Sequence, residues 1–234
     1  GDEVPVGLRR AAFRAAAATM IVVAGAGSAV SAAPSGHAAV AAHIAVIGDS
    51  YTAGSSEGGN GPRSWTAQAW RLLARRGVDV KADVAAEGGA GYGQPGNHGS
   101  IFQDLLARAV HRDDQLVVFF GSRNDAPADP NVVAANAAVA FAQARRTAPG
   151  AKLLVIGPPW TDADVPPAVL RIRDALRAQA VSHGATFYDP LIAGWFFGTP
   201  WLIGHDGVHP TDAGHAFLAD RIAPLIAAQL SRPV

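Results

Sequence analysis

From His43 onward, apolar positions fall into two alternating patterns: short runs with branched side chains, and longer stretches with helical spacing. The run His43–Gly48 (HIAVIG) ends in Gly and predicts a buried strand. Ser64 predicts a helix cap, with Trp65, Trp70, Leu72 and Leu73 on the apolar face of a helix to about Arg76 and Gly77 as its stop. Val78–Ala86 reads as a second strand, and Ser100 with Gln103 as a capping box for a short helix through Ala109. Leu116–Phe120 is the most hydrophobic run of the domain and predicts a central strand. Asp129-Pro130 opens a helix to about Ala148, and Leu153–Ile156 is a fourth strand. A helix from about Pro166 to His183 stops at Gly184, Thr186–Asp189 is a fifth strand, and the last helix runs from about Thr211 to Leu230. Strands separated by such helices imply parallel pairing through right-handed crossovers. The fold class is therefore α/β: a three-layer α/β/α sandwich with a central parallel sheet of about five strands.

The first 33 residues differ from this pattern. Arg9, Arg10 and Arg14 precede an uncharged stretch, Ala15 to Ala33, whose end is crowded with Ser and Ala. A basic head, apolar middle and small-residue tail describe a secretory signal, with cleavage near Ala32 or Ala33. A retained membrane anchor is the alternative, because the stretch nearly spans a bilayer. Residues 34–234 then form one domain, with neither an internal repeat nor a linker.

Composition narrows the chemistry. The chain of 234 residues has 19 basic and 19 acidic side chains, no Cys and 49% hydrophobic residues. Disorder is excluded as the main state, and a balanced charge argues against nucleic acid as the main partner. Without Cys there is no disulfide framework, no thiolate catalysis and no thiol lipidation. Only Lys81 and Lys152 among the basic residues are Lys, and the Arg, Ala and Gly bias is that of a GC-rich bacterial coding sequence.

Four polar blocks fall beyond predicted strands or before the last helix: Gly48-Asp49-Ser50-Tyr51-Thr52, Glu87-Gly88-Gly89-Ala90-Gly91, Gly121-Ser122-Arg123-Asn124-Asp125 and Asp206-Gly207-Val208-His209-Pro210. In parallel sheets, reacting groups collect beyond the carboxyl ends of the strands. Pro210 biases His209 towards an extended backbone, which lets Asp206 fold back onto Nδ1 while Nε2 faces outward. An outward Nε2 beside a serine hydroxyl is an activated-nucleophile arrangement. Ser50 alone could equally cap an inert turn, Asn124 could close an Asx turn, and Asp49 can orient its loop without touching substrate.

These blocks, in this order, resemble the SGNH hydrolase (GDSL esterase/lipase) family over about Ile44 to Ile222. The resemblance implies a flavodoxin-like fold and ester hydrolysis without cofactor or metal. It makes Ser50 the nucleophile, Asp206 and His209 its triad partners, and the oxyanion hole the N–H groups of Ser50 and Gly89 with the amide of Asn124. Two departures stand out. Two residues rather than one separate Gly121 from Asn124. The second block lacks the Asn that often precedes its Gly, leaving Gly88 and Gly89 as alternatives.

Other readings are weaker. Gly91-Tyr92-Gly93-Gln94-Pro95-Gly96 matches G-x-G-x-x-G, but Pro95 stands where a helix should begin. His205, His209 and His215 cannot share one helical face across Gly207 and Pro210, which argues against a metal site. The α/β-hydrolase elbow is missing, since Thr52 replaces its last Gly. Trp160, Trp195, Phe196 and Trp201 are candidates to line a substrate pocket, with ordinary packing as the alternative. The expected partner is an acyl-lipid or acylated-sugar ester, cleaved through a seryl acyl-enzyme. Acyl transfer to a carbohydrate hydroxyl and a non-catalytic exported binding protein are the rivals. An exported monomer, secreted or associated with the cell envelope, is expected.

Overall fold

The computed structural model describes residues 40–231. The signal or anchor expected at residues 1–33 lies outside the described residues. Five parallel strands form one sheet in the order β2-β1-β3-β4-β5: β1 (Ala42–Gly48), β2 (Val80–Ala86), β3 (Leu116–Phe120), β4 (Lys152–Ile156) and β5 (Thr186–Tyr188). The helices are α1 (Ser50–Ala53), α2 (Trp65–Arg75), α3 (Phe102–Ala109), α4 (Pro130–Thr147), α5 (Pro167–Ser182), α6 (Pro190–Ala193) and α7 (Asp212–Ser231). No helix among the described residues is long and apolar enough to cross a membrane.

The three central strands of the sheet are buried on both faces, as the middle of a parallel sheet must be. Ala45, Ile47, Val117, Phe119, Leu153 and Val155 pack against Phe102, Leu106, Phe141, Ile172 and Leu176 of α3, α4 and α5. The alternate residues Ile44, Val46, Leu116, Val118, Phe120, Leu154 and Ile156 pack against Trp65 and Leu73 of α2 and Leu218, Ile222 and Ile226 of α7. The period-2 alternation along β1, β3 and β4 thus assigns their side chains to one of two cores, while β2 and β5 are the less buried edge strands.

Local signals fix most boundaries. Ser64 Oγ accepts the Ala67 N–H at 3.2 Å and starts α2. After Gly77 (φ 79°) the Val78 N–H returns to the Leu73 carbonyl, so Val78 and Asp79 belong to the turn and β2 begins at Val80. The Ser100/Gln103 capping box is displaced by one residue. Ile101 is the N-cap, and Asp104 accepts its N–H at 3.0 Å. Ser100 Oγ instead accepts from Arg108, and its N–H donates to Glu87.

Register brings the strand ends into line. Ala86, Gly48, Phe120, Ile156 and Tyr188 stand opposite one another across the sheet. The chain leaves β1 for β2 on one side and reaches β3 on the other. The connecting loops therefore part beside β1 and leave a crevice above its carboxyl end.

Candidate active site

At the end of β1 the backbone turns directly into α1. Asp49 is its N-cap, accepting the Tyr51 N–H at 2.9 Å. Ser50 is the first helical residue, 8% exposed, and its hydroxyl is not used for capping. Gly48 permits the tight turn, because a Cβ there would lie 2.4 Å from Thr52 Oγ1.

The segment before α7 folds into a self-bonded loop. Asp206 Oδ1 accepts the N–H of Val208 at 2.8 Å and of His209 at 2.9 Å, while Oδ2 lies 2.5 Å from His209 Nδ1. Burial acts against the charged carboxylate, but these hydrogen bonds and the imidazole outweigh it and hold the Asp206 carboxyl down to about 2. Gly207 (φ 69°) makes the turn, and the Gly204 N–H bonds the His209 carbonyl at 2.8 Å. With Nδ1 engaged by Asp206, Nε2 is the ring nitrogen left for a second partner.

Both segments open onto one cavity of about 430 Å³, lined by Ser50, Gly54, Ser55, Ser56, Gly88, Gly89, Asn97, Asn124, Val208 and His209. Among the described residues, no protein acceptor meets the N–H of Ser50 or Gly89. Asn124 Nδ2 donates to the Ala90 carbonyl at 3.0 Å, which fixes the amide plane and leaves its second hydrogen available. Ser122, not Asn124, closes the local turn by accepting the Asn124 N–H at 3.1 Å. Gly88 and Gly89 both reach the cavity wall, so both alternatives of the second block lie there.

The glycine-rich segment after β2 does form a backbone cradle, but its occupant is a side chain of the same protein. The N–H groups of Tyr92, Gly93 and Gln94 all point to the Asp125 carboxylate, at 2.8, 2.9 and 3.0 Å. Glu87 similarly accepts the N–H groups of His98 and Ser100. No helix follows Gly96 until Phe102.

The aromatic candidates lie elsewhere. Trp195 and Phe196 are buried in the core between the sheet and α7, Trp201 is 67% exposed, and Trp160 stacks under the Arg123 guanidinium at 3.8 Å. None of the four lines the cavity holding Ser50 and His209. Packing is thus the role the structure shows for Trp195 and Phe196. Of the three histidines weighed as ligands, His215 is fully buried, and its Nδ1 accepts the Trp65 N–H at 3.2 Å. Among the described residues, the His/Asp group whose ligand atoms come within 4.8 Å is His43, Asp113 and Asp114, at the opposite end of the sheet.

Four contributors escaped the sequence: Tyr51, Asn97, Ser122 and Asp125. Tyr51, Ser122 and Asp125 belong to blocks one and three, but their distant partners leave no mark in the sequence of those blocks. Asn97 stands in Gly96-Asn97-His98-Gly99, which polarity marks only as a loop.

The model of the GDSL-like lipase/acylhydrolase family matches residues 46–217, from within β1 to within α7, and so takes in all four blocks. The chain belongs to that family. It is 61% identical over 190 residues to the GDSL lipase Rv0518 of Mycobacterium tuberculosis, covering 80% of this chain and 82% of that one. Among solved structures, a family two carbohydrate esterase from Clostridium thermocellum superposes with a TM-score of 0.64 at 19% identity, over 81% of this chain and 64% of that one. The extracellular lipase from Streptomyces rimosus superposes with a TM-score of 0.52 at 20% identity, over 81% and 100%. These structures share the fold, and family membership makes the protein a carboxylic ester hydrolase.

Proposed function

We propose that the protein cleaves esters through a covalent seryl intermediate on Ser50. The observation that carries this is the meeting of Ser50 and His209 on one cavity wall, with His209 Nδ1 held on Asp206 at 2.5 Å. Ser50 Oγ attacks the ester carbonyl carbon while His209 Nε2 takes the hydroxyl proton. The carbonyl oxygen becomes an oxyanion facing the N–H groups of Ser50 and Gly89 and the amide of Asn124. The intermediate collapses, the carbon–oxygen bond to the alcohol breaks, and His209 returns the proton to the leaving alcohol. Water, deprotonated by His209, then attacks the acyl-enzyme and releases the acid and the Ser50 hydroxyl. Asp206 fixes the imidazole tautomer and stabilises its cationic form.

The substrate reading follows from the wall. Gly54, Ser55, Ser56, Gly88, Gly89 and Asn97 offer small and polar surface, with Val208 as the branched apolar side chain. Such a wall favours a short acyl group over a long one and tolerates a polar alcohol such as a sugar. Hydrolysis is favoured over transfer to a sugar hydroxyl because this cavity opens to solvent, where water is the abundant acceptor. Export is supported by Arg9, Arg10 and Arg14 ahead of the uncharged segment Ala15 to Ala33.

The test is an ester series of graded acyl length, assayed with wild type and S50A and with a sugar acceptor present. The expected result is fastest turnover on short chains, free acid as product, and a loss of several orders of magnitude in S50A. Labelling of wild type but not S50A by a fluorophosphonate is expected in parallel. Near wild-type hydrolysis by S50A sinks the assignment. Acylated sugar as the main product replaces hydrolysis with transfer.

A further inference from the structure

Ser122 has one hydroxyl hydrogen and two oxygen neighbours placed to receive it. Its Oγ lies 2.8 Å from Asp49 Oδ2 and 2.8 Å from the Ala90 carbonyl oxygen, and it accepts the Asn124 N–H at 3.1 Å. With Asp49 ionised, one of the two short contacts is oxygen against oxygen with no hydrogen between them, at a fully buried Ser122. With Asp49 protonated, every contact is a hydrogen bond. Asp49 O–H then donates to Ser122, Ser122 O–H donates to Ala90, and the Asn124 N–H fills the remaining lone pair.

We propose that in mildly acidic solution Asp49 is held in the assembled site as a neutral carboxylic acid and donates a hydrogen bond to Ser122, which makes it a positioning residue for the loops after β1, β2 and β3. The Ala90 carbonyl at the end of this chain is also the acceptor for Asn124 Nδ2. One proton on Asp49 thus decides whether the Ser122 hydroxyl donates to Asp49 or to the Ala90 carbonyl, the same carbonyl that holds Asn124. Its catalytic meaning rests on the proposed function, in which Asn124 and Gly89 face the oxyanion.

A second buried carboxyl shows why the proton belongs on Asp49. Burial raises the Asp125 carboxyl as well, but three N–H donors meet it and oppose that rise, where Asp49 has a single backbone donor. Its charge pushes the Asp49 carboxyl up, in the same direction as burial, which is the main cause. Against them act the Tyr51 N–H, the Ser122 hydroxyl and His209, and the balance stands at about 6. The other titratable groups nearby are the phenols of Tyr51 and Tyr92, both pushed up by burial and neutral, and Arg123, which faces the Tyr51 phenol. From α3 the neighbour is the apolar ring of Phe102, beside Gly121.

The experiment is infrared difference spectroscopy of wild type against D49N at about pH 5, where an ordinary Asp near 3.9 is mostly ionised. Other protonated carboxyls cancel in the difference. A carbonyl stretch of a protonated acid present in wild type and missing in D49N supports the proposal; its absence in wild type overturns it. In S122A that band moves to higher frequency as the donor loses its acceptor, and an unmoved band overturns the proposal even where D49N does not fold. In kinetics, the ratio of D49N to wild-type kcat rises severalfold as pH increases through about 6, because only wild type loses the proton. A merely structural role leaves that ratio flat. Since the band is read without turnover, an active S50A sinks the catalytic assignment and leaves the Asp49 result standing.

Discussion

The Tyr51 hydroxyl donates to the carbonyl oxygen of Val208 at 2.5 Å, so the residue after Ser50 is tied to the residue before His209. Burial pushes the Tyr51 phenol up to about 12, and it remains a donor throughout the working range. Its ring packs edge-on against Phe120 and Phe196. The two halves of the proposed nucleophile–base pair are thereby held to each other through side chain and backbone. In Y51F the packing stays and the bond goes. We expect kcat to fall by about ten- to a hundredfold with little change in KM, and stability by about 1–2 kcal/mol. Unchanged steady-state kinetics would show that the loop is fixed by its own hydrogen bonds alone.

Asn124 loses two things in N124A: the amide hydrogen facing the cavity and the bond to Ala90. The first lowers kcat by about 10²–10³. The second costs little, because Ser122 remains beside the Ala90 carbonyl. A rise in KM with kcat intact contradicts the oxyanion role.

Replacing Asp125 by Asn turns one acceptor oxygen into a donor facing an N–H group. All three bonds to Tyr92, Gly93 and Gln94 converge on this carboxylate, so one face of the cradle becomes donor against donor. D125N is expected to lose about 2–3 kcal/mol, read from the urea midpoint at constant m-value. A midpoint equal to wild type rejects the cradle as a stabilising element.

Asp206 makes stability depend on acid in a definite direction. Its carboxyl sits at about 2 in the folded chain against about 3.9 unfolded, so the folded state binds the proton less readily. The stabilisation is present in full above about pH 4 and drains away as pH falls towards 2. The Tm gap between wild type and D206N should therefore widen between these values and stay constant above them. A gap independent of pH in that window is the contrary result.

His215 acts in the neighbouring window. Burial lowers its pKa from 6.5 to about 4, so the unfolded chain binds the proton more readily and stability falls as pH drops from 6.5 to 4. H215N, which keeps an acceptor for the Trp65 N–H, should show a flatter Tm profile across this range in thermal melts. The same slope in both proteins assigns the acid sensitivity elsewhere.

The sheet was legible because its central strands are runs that a buried parallel sheet demands, and because Ser64, Gly77, Asp129-Pro130 and Gly184 mark helix ends by local chemistry. Helices α1 and α6 span four residues each, too few for any periodicity to register. Three of the polar blocks also stood out, since polar residues immediately after apolar strands have no packing reason to be there, and the fourth by its Asp-x-x-His-Pro spacing before the last helix. Contacts between distant segments were not legible. Nothing near Gly91 announces that its loop closes on Asp125, and nothing in Leu191–Gly204 says which side of the sheet Trp195 will take. An apolar run states that it will be buried, not against what.

The order of parts along the chain has a consequence for synthesis. Tyr51 and Val208 are 157 positions apart, and α7, which packs beside α2, follows the imidazole-bearing loop. With Ser50 and His209 in the proposed roles, a growing polypeptide exposes its serine early and is expected to stay chemically silent until the closing helix emerges, so that products truncated before that helix are expected to be inert rather than weakly active.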